Sequence, residues 1–136
     1  MSGGVLLDTD ILSALMRGTP SVVTKARTYL AEQERLRFSV ITRYEILRGL
    51  KAKDASTRIE AFNRFCEASD VLPLTDEIVD LAADVYARLY GAGRLVGDAD
   101  ILIAATALVH RVAVVTNNES HFRRIPGLDV ENWLAA

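Results

Sequence analysis

The 136-residue sequence predicts an α/β fold, a central, mainly parallel sheet covered by helices on both faces. Two observations carry this. Short apolar runs rich in β-branched residues alternate with longer stretches whose apolar residues recur at about one helical turn, and that alternation builds parallel sheets. The first run, Val5-Leu6-Leu7, stops on Asp8-Thr9-Asp10, and an amphipathic stretch starts at Ile11. A buried strand ending in carboxylates delivers them to the C-terminal edge of the sheet, where open α/β sheets bind ligands.

The remaining elements follow in order. Ile11 to Met16 is a short helix closed by Gly18-Thr19-Pro20, and Ser21 to Glu34 a second, with Val22, Ala26, Tyr29 and Leu30 about one turn apart. Arg37 to Val40 is a short strand. Thr42-Arg43-Tyr44-Glu45 has capping-box spacing and opens a helix ending near Gly49. Asp54 to Ala68 is helical, with Ile59, Phe62 and Cys66 on one side. Val71 to Leu74 is a strand whose Pro73 marks an edge or an end. Thr75 caps the clearest helix, with Ile78, Leu81, Ala82, Val85 and Leu89 as one stripe, and Gly91 and Gly93 end it. Asp98 to His110 is a helix, Val112 to Val115 a buried-type strand interrupted by Thr116-Asn117-Asn118, and Leu128 to Val130 a last weak strand.

No linker or repeat divides the chain, so residues 1–136 read as a single domain of common size. Half the residues are apolar and a quarter charged, as in ordinary globular proteins. No apolar run approaches the roughly 18 residues of a membrane span. Met1-Ser2-Gly3-Gly4 has no basic, apolar leader, and the single cysteine forms no internal disulfide, so a cytoplasmic location is expected. Cys66, His110 and His121 make a poor zinc set. A net charge of −2 excludes a general polycation, although the cations are lopsided: three lysines, none after Lys53, and arginines throughout.

Polar or acidic groups follow a strand or open a helix at four places: Asp8/Asp10, Glu45, Asp98/Asp100 and Thr116-Asn117-Asn118-Glu119. Parallel strands bring the first and last to one edge. Each has a structural explanation as well. Asp10 can N-cap the helix after it, Glu45 fits a capping box, Asp98 can N-cap its helix, and Asp100 favours the helix dipole. Asp8 lies at the strand end, before any helix can use it. Gathered carboxylates raise one another's pKa, whereas a divalent cation keeps them ionised, and hard oxygens select magnesium or manganese.

At these residues the chain resembles the PIN-domain ribonucleases, most closely the VapC toxins of type II toxin–antitoxin pairs. The matching segments are Leu6 to Ser13, Tyr44 to Gly49, Gly97 to Ala105, Val115 to Asn118, and the close Pro126-Gly127-Leu128 with Glu131-Asn132-Trp133. The resemblance implies a PIN-like three-layer α/β/α sandwich around a mainly parallel sheet of four to five strands. It places the metal ligands on Asp8, Glu45 and Asp100, with Asp98 an accessory acid. Where relatives often carry a fourth acid after the T-N dipeptide this chain has Asn118, so Glu119 or Asp98 is expected to supply that charge. Thr9, Ser13, Thr116, Asn117 and Asn118 resemble the polar residues around the ligands, and Asp10 is a helix cap within reach of the site.

The resemblance implies a Mg²⁺- or Mn²⁺-dependent endoribonuclease cutting transfer or ribosomal RNA, a cognate VapB-type antitoxin, and a homodimer. Activated water attacking in line leaves a 5′-phosphate. Arg43, Arg48 and Arg94 are candidates to hold the RNA backbone, and an ion pair with Glu45 is the alternative for Arg48. His121 reads as a surface histidine that can lie near the site. Haloacid-dehalogenase-type phosphatases and receiver domains also use an acid after the first strand. Both want a late lysine, and Leu12 stands where the phosphatase motif wants Thr or Val. A PIN-like scaffold that only binds RNA or a protein is the remaining alternative.

Overall fold

The computed structural model describes residues 3–135; Met1 and Ser2, the start of the segment read for a leader, lie outside them. Among the described residues the order is β1 (Val5–Leu7), α1 (Thr9–Met16), α2 (Pro20–Glu32), β2 (Arg37–Ser39), α3 (Val40–Ala52), α4 (Ser56–Glu67), β3 (Asp70–Leu72), α5 (Asp76–Gly91), α6 (Asp98–His110), β4 (Ala113–Val115), α7 (Glu119–Phe122) and β5 (Val130–Glu131).

β1 pairs with β4, Leu7 opposite Val115, and β4 pairs with β5, Val115 opposite Glu131. β2 and β3 form a second pair, Ser39 opposite Leu72. All three pairings are parallel. β2 lies beside β1 with no ladder between them, so the expected parallel sheet is present as a three-stranded and a two-stranded piece, in the order β3-β2-β1-β4-β5.

The central strands β1 and β4 are covered on both faces, which is why they read as unbroken apolar runs rather than alternating ones. Side chains of a strand alternate in direction, so Leu6 and Val114 join an apolar layer with α5, α6 and α7. Val5, Leu7 and Val115 join another with α1 to α4, centred on Phe38 and Phe62. α6 is buried almost all round through Ile101, Ile103, Ala104, Ala105 and Ala107. Its small residues let it sit close to its neighbours.

Several boundaries differ from the sequence reading, each for a local reason. α1 begins at Thr9, with Asp8 as its N-cap, so Asp8 is used by a helix after all and Asp10 lies in the first turn rather than at the cap. Pro20, expected in the closing turn, is the first residue of α2, where its missing N–H costs nothing. α3 starts at Val40, capped by Ser39, whose hydroxyl accepts from the Ile41 N–H at 3.0 Å. The capping box at Thr42 and Glu45 is therefore not formed; both lie inside the helix. Asp54 adopts φ 52° after α3, which delays α4 to Ser56. Pro73 falls just after β3, which is both an edge strand and finished there. Thr75 caps α5 as expected, its hydroxyl accepting from the Ile78 N–H at 3.2 Å.

Candidate active site

The site grows from the junction of β1 with α1. The Asp8 N–H donates to the Val115 carbonyl at 2.9 Å, which extends the β1–β4 ladder by one residue and turns the Asp8 side chain in beneath the helix. There Oδ1 accepts from the Thr9 N–H at 2.8 Å and Oδ2 from the Thr116 hydroxyl at 2.8 Å. Asp8 is 6% exposed. Burial, and next the charge of Asp10, push its carboxyl up to about 7, against the pull of the Thr116 and Thr9 donors; Asp100 adds to the rise.

Asp10 stands on the first turn of α1, and its Oδ2 accepts from the Asn117 N–H at 3.0 Å, tying α1 to the loop after β4. Its other oxygen, Oδ1, is buried with no hydrogen-bond partner. Burial raises its pKa and the charge of Asp100 adds to that, while the Asn117 and Ile11 N–H groups oppose. Asp100 comes from the first turn of α6, and its Oδ2 lies 3.0 Å from His121 Nδ1 and 3.5 Å from Asn118 Nδ2. Glu45, in α3, accepts from the Thr9 hydroxyl at 2.6 Å, and that hydroxyl lies 3.1 Å from the Thr42 hydroxyl. Arg48 approaches Glu45 at 3.9 Å and lies over the Tyr44 ring at 5.2 Å, the ion-pair arrangement weighed for it.

The structure thus brings Asp8, Asp10 and Asp100 within electrostatic reach of one another, with Thr9 linking Asp8 to Glu45. Thr116, Asn117 and Asn118 hold these acids, and Ser13 lines the groove beside Thr9. Two expected acids stand apart. Asp98 is the exposed first residue of α6, whose N-cap is Gly97, so among the described residues Asp98 neither caps the helix nor bonds to the cluster. Glu119 is bound by Arg123 and Asn132, whose hydrogen bonds hold its carboxyl below the ordinary range. It belongs to a surface network with Asn117 rather than to the acids. Two contributors were underread in the sequence. Asp10 gains its importance from a loop 107 residues away. His121 reaches Asp100 through the single turn of α7, an element too short for periodicity to reveal.

The donor set fits a hard divalent cation by its chemistry. Among the described residues no Lys or Arg pairs with the three mutually repelling carboxylates, His121 reaches only Asp100, and the buried Asp10 oxygen has no partner. The side chains do not yet form a cage. Among the described residues no three His, Cys, Asp or Glu groups converge on one point. Glu45 is held by Thr9 through one oxygen, and Asp100 by the His121 and Asn118 pair through one oxygen.

Comparison with known proteins identifies the family. Residues 5–128 match the family model described as the PIN domain. The chain is 33% identical over 135 residues to "VapC ribonuclease Y4jK" of Sinorhizobium fredii, covering 94% of this chain and 96% of that one. It is 29% identical over 129 residues to "Ribonuclease VapC1" of Haemophilus influenzae, with the same coverage. Among solved structures, the DNA-bound VapBC of Salmonella typhimurium superimposes with a TM-score of 0.84 at 27% identity, covering 97% of this chain and 99% of that one. VapBC-1 of nontypeable Haemophilus influenzae gives 0.81 at 27% identity, covering 96% and 98%. With its acids at the strand end and its match running nearly from end to end, the chain belongs to the PIN-domain family, among the relatives named VapC ribonucleases.

Proposed function

We propose that this chain is a Mg²⁺- or Mn²⁺-dependent endoribonuclease, the toxin of a type II toxin–antitoxin pair. The observation that carries the reading is the buried Asp8 carboxyl at the end of β1, crowded by Asp10 and Asp100 beside an unpartnered Asp10 oxygen. Asp8, Glu45 and Asp100 would hold the cation, with Asp10 next to them. When bound, such a cation neutralises a phosphate oxygen and acidifies a water.

The chain's own residues do the positioning. Thr116 fixes Asp8 by donating to Oδ2, which leaves the carboxylate one orientation. Thr9 couples the first acid to Glu45, since its N–H binds Asp8 and its hydroxyl binds Glu45. The Asn117 N–H fixes one oxygen of Asp10 and leaves the other open. Asn118 and His121 orient Asp100 from the opposite side. The substrate is RNA, of the transfer or ribosomal class, cut in the cytosol. The partner is a VapB-type antitoxin, in keeping with structural relatives that are VapBC complexes, and the toxin works as a homodimer.

The test uses purified protein freed of any partner, incubated with structured RNA in Mg²⁺, in Mn²⁺ and in EDTA. Cleavage is expected only with metal, and is expected to fall at least about 100-fold in Asp8→Asn and Asp100→Asn, as when a group acting only in the transition state is removed. Cleavage that persists in either variant sinks the assignment. A scaffold that binds RNA without cutting is the second reading, favoured by the separation of the carboxylates. Binding without cleavage in any metal would decide for it.

A further inference from the structure

Asp100 has a neighbour of a different chemical kind from those of the other acids. Asp8 is met by a hydroxyl and a backbone N–H, and Asp10 by a backbone N–H, whereas Asp100 Oδ2 lies 3.0 Å from Nδ1 of an imidazole, His121. Among the described residues His121 is the one side chain with an imidazole or thiol in contact with these acids. It is also firmly placed. The single turn of α7 is anchored by the fully buried Phe122 and by Glu119, which is bound by Arg123 and Asn132. The ring itself stays open, with 40% of the side chain exposed against 21% for Asp100. The two acids expected to supply a further charge, Asp98 and Glu119, stand apart from the cluster, and Asn118 carries no charge.

We propose that His121 is a nitrogen ligand of the cation that Asp100 holds, and that this nitrogen makes the site prefer Mn²⁺ to Mg²⁺. The inference deepens the metal-dependent ribonuclease reading and rests on it for the presence of a cation. Neighbouring ligands of an octahedral ion with bonds of about 2.1 Å stand about 3 Å apart, and Nδ1 and Oδ2 are already 3.0 Å apart. The ring then binds through an unprotonated Nδ1 and carries its one proton on Nε2. Mg²⁺ gives up water reluctantly and takes oxygen ligands, so an imidazole adds little for it. Mn²⁺ accepts the same carboxylates and, as a first-row transition ion, also gains from a nitrogen. A residue that only oriented Asp100 would help both ions alike.

The test reads the metal directly, without RNA or turnover. Pulsed electron paramagnetic resonance of the full chain loaded with Mn²⁺ alone is expected to show the hyperfine coupling of a ligating imidazole nitrogen, and His121→Asn is expected to lack it. Asn keeps an amide N–H to donate to Asp100 but offers no imidazole. In separate titrations with Mn²⁺ and with Mg²⁺, His121→Asn is expected to weaken Mn²⁺ by at least about 10-fold and Mg²⁺ by less than about 3-fold. The wild-type spectrum needs no variant, so a folding defect in His121→Asn does not blunt the test. A wild-type chain that binds Mn²⁺ without nitrogen coupling overturns the proposal. So does a fall of equal size for both ions, which leaves His121 as a residue that only orients Asp100. Either result in a chain that still cuts RNA with Mn²⁺ leaves the ribonuclease reading standing. Nitrogen coupling in a chain that cuts no RNA supports the ligand and overturns the ribonuclease reading. A chain that binds neither ion overturns both.

Discussion

At the scale of single residues, Thr116 ties the acid at the end of β1 to the loop after β4. Its hydroxyl donates to Asp8 at 2.8 Å and accepts from the Asn118 N–H at 2.9 Å, and the residue is fully buried. Removing that oxygen leaves a buried carboxylate oxygen short of a donor and frees the loop that carries Asn117 and Asn118. Thr116→Val keeps the shape and deletes both bonds, so it is expected to destabilise the fold by about 1–3 kcal/mol, the usual cost of stranding a buried polar group. Urea unfolding measures this, with Thr116→Ser as the variant that retains the hydroxyl. A loss under a few tenths of a kcal/mol would show that Asp8 finds another donor. His121 poses a sharper local constraint. Its Nδ1 faces both Asn118 Nδ2 at 2.8 Å and Asp100 Oδ2 at 3.0 Å, and one ring nitrogen cannot accept from the amide and donate to the carboxylate together. With Nδ1 protonated, the His121 ring and the Asn118 amide both donate to Asp100 Oδ2, and the close Nδ1–Nδ2 approach carries no hydrogen bond.

At the scale of elements, the candidate site is built where one element hands over to the next without a linker. β1 passes into α1 at Asp8, and β2 passes into α3 at Ser39. The second junction aims Glu45, because the Ser39 cap sets where α3 begins and hence which face Glu45 occupies. Ser39 is fully buried, so water cannot replace its bond to the Ile41 N–H. Ser39→Ala is expected to cost about 1 kcal/mol of unfolding free energy, measured by urea titration, whereas an exposed cap of the same type would be partly rescued by water. These junctions also mark how far the sequence was legible. Val5 to Leu7 announced a buried strand, and the Thr75 cap with its apolar stripe announced α5, because burial and periodicity are written in consecutive residues. The start of α3 lies three residues before the position that the capping-box spacing predicts. Thr42-x-x-Glu45 has the spacing of a capping box, and nothing local shows that Ser39 at the end of a strand already fills that role. Asp8, Glu45 and Asp100 were legible by resemblance. The part played by Asp10 and His121 was not, since it rests on the Asn117 N–H and the α7 turn folding back onto them.

At the scale of the whole molecule, two apolar layers clamp a sheet whose edge holds uncompensated negative charge, so folding and the site oppose each other in a pH-dependent way. Asp8 moves from 3.8 to about 7 on folding, with burial the main cause. A carboxyl with a raised pKa binds its proton more tightly in the folded state than in the unfolded one. Between about 4 and 7 the folded chain therefore holds the extra proton, and stability falls as pH rises through that window, then levels off. A shift of this size corresponds to a loss on the order of 4 kcal/mol without metal. The raised pKa of Asp10 acts in the same direction. Other groups titrate across the same range, so the clean quantity is the difference between the wild-type chain and Asp8→Asn. In EDTA that difference is expected to swing toward the variant from pH 4 to pH 8, because Asn has no proton to lose and its constant packing effects cancel in the slope. Mg²⁺ is expected to raise the wild-type melting temperature more at pH 8 than at pH 5, since ionised carboxylates are what a cation binds. A wild-type minus variant difference that stays flat with pH would mean that Asp8 is ionised in the folded chain throughout, and that the crowding of acids at the end of β1 is relieved without metal.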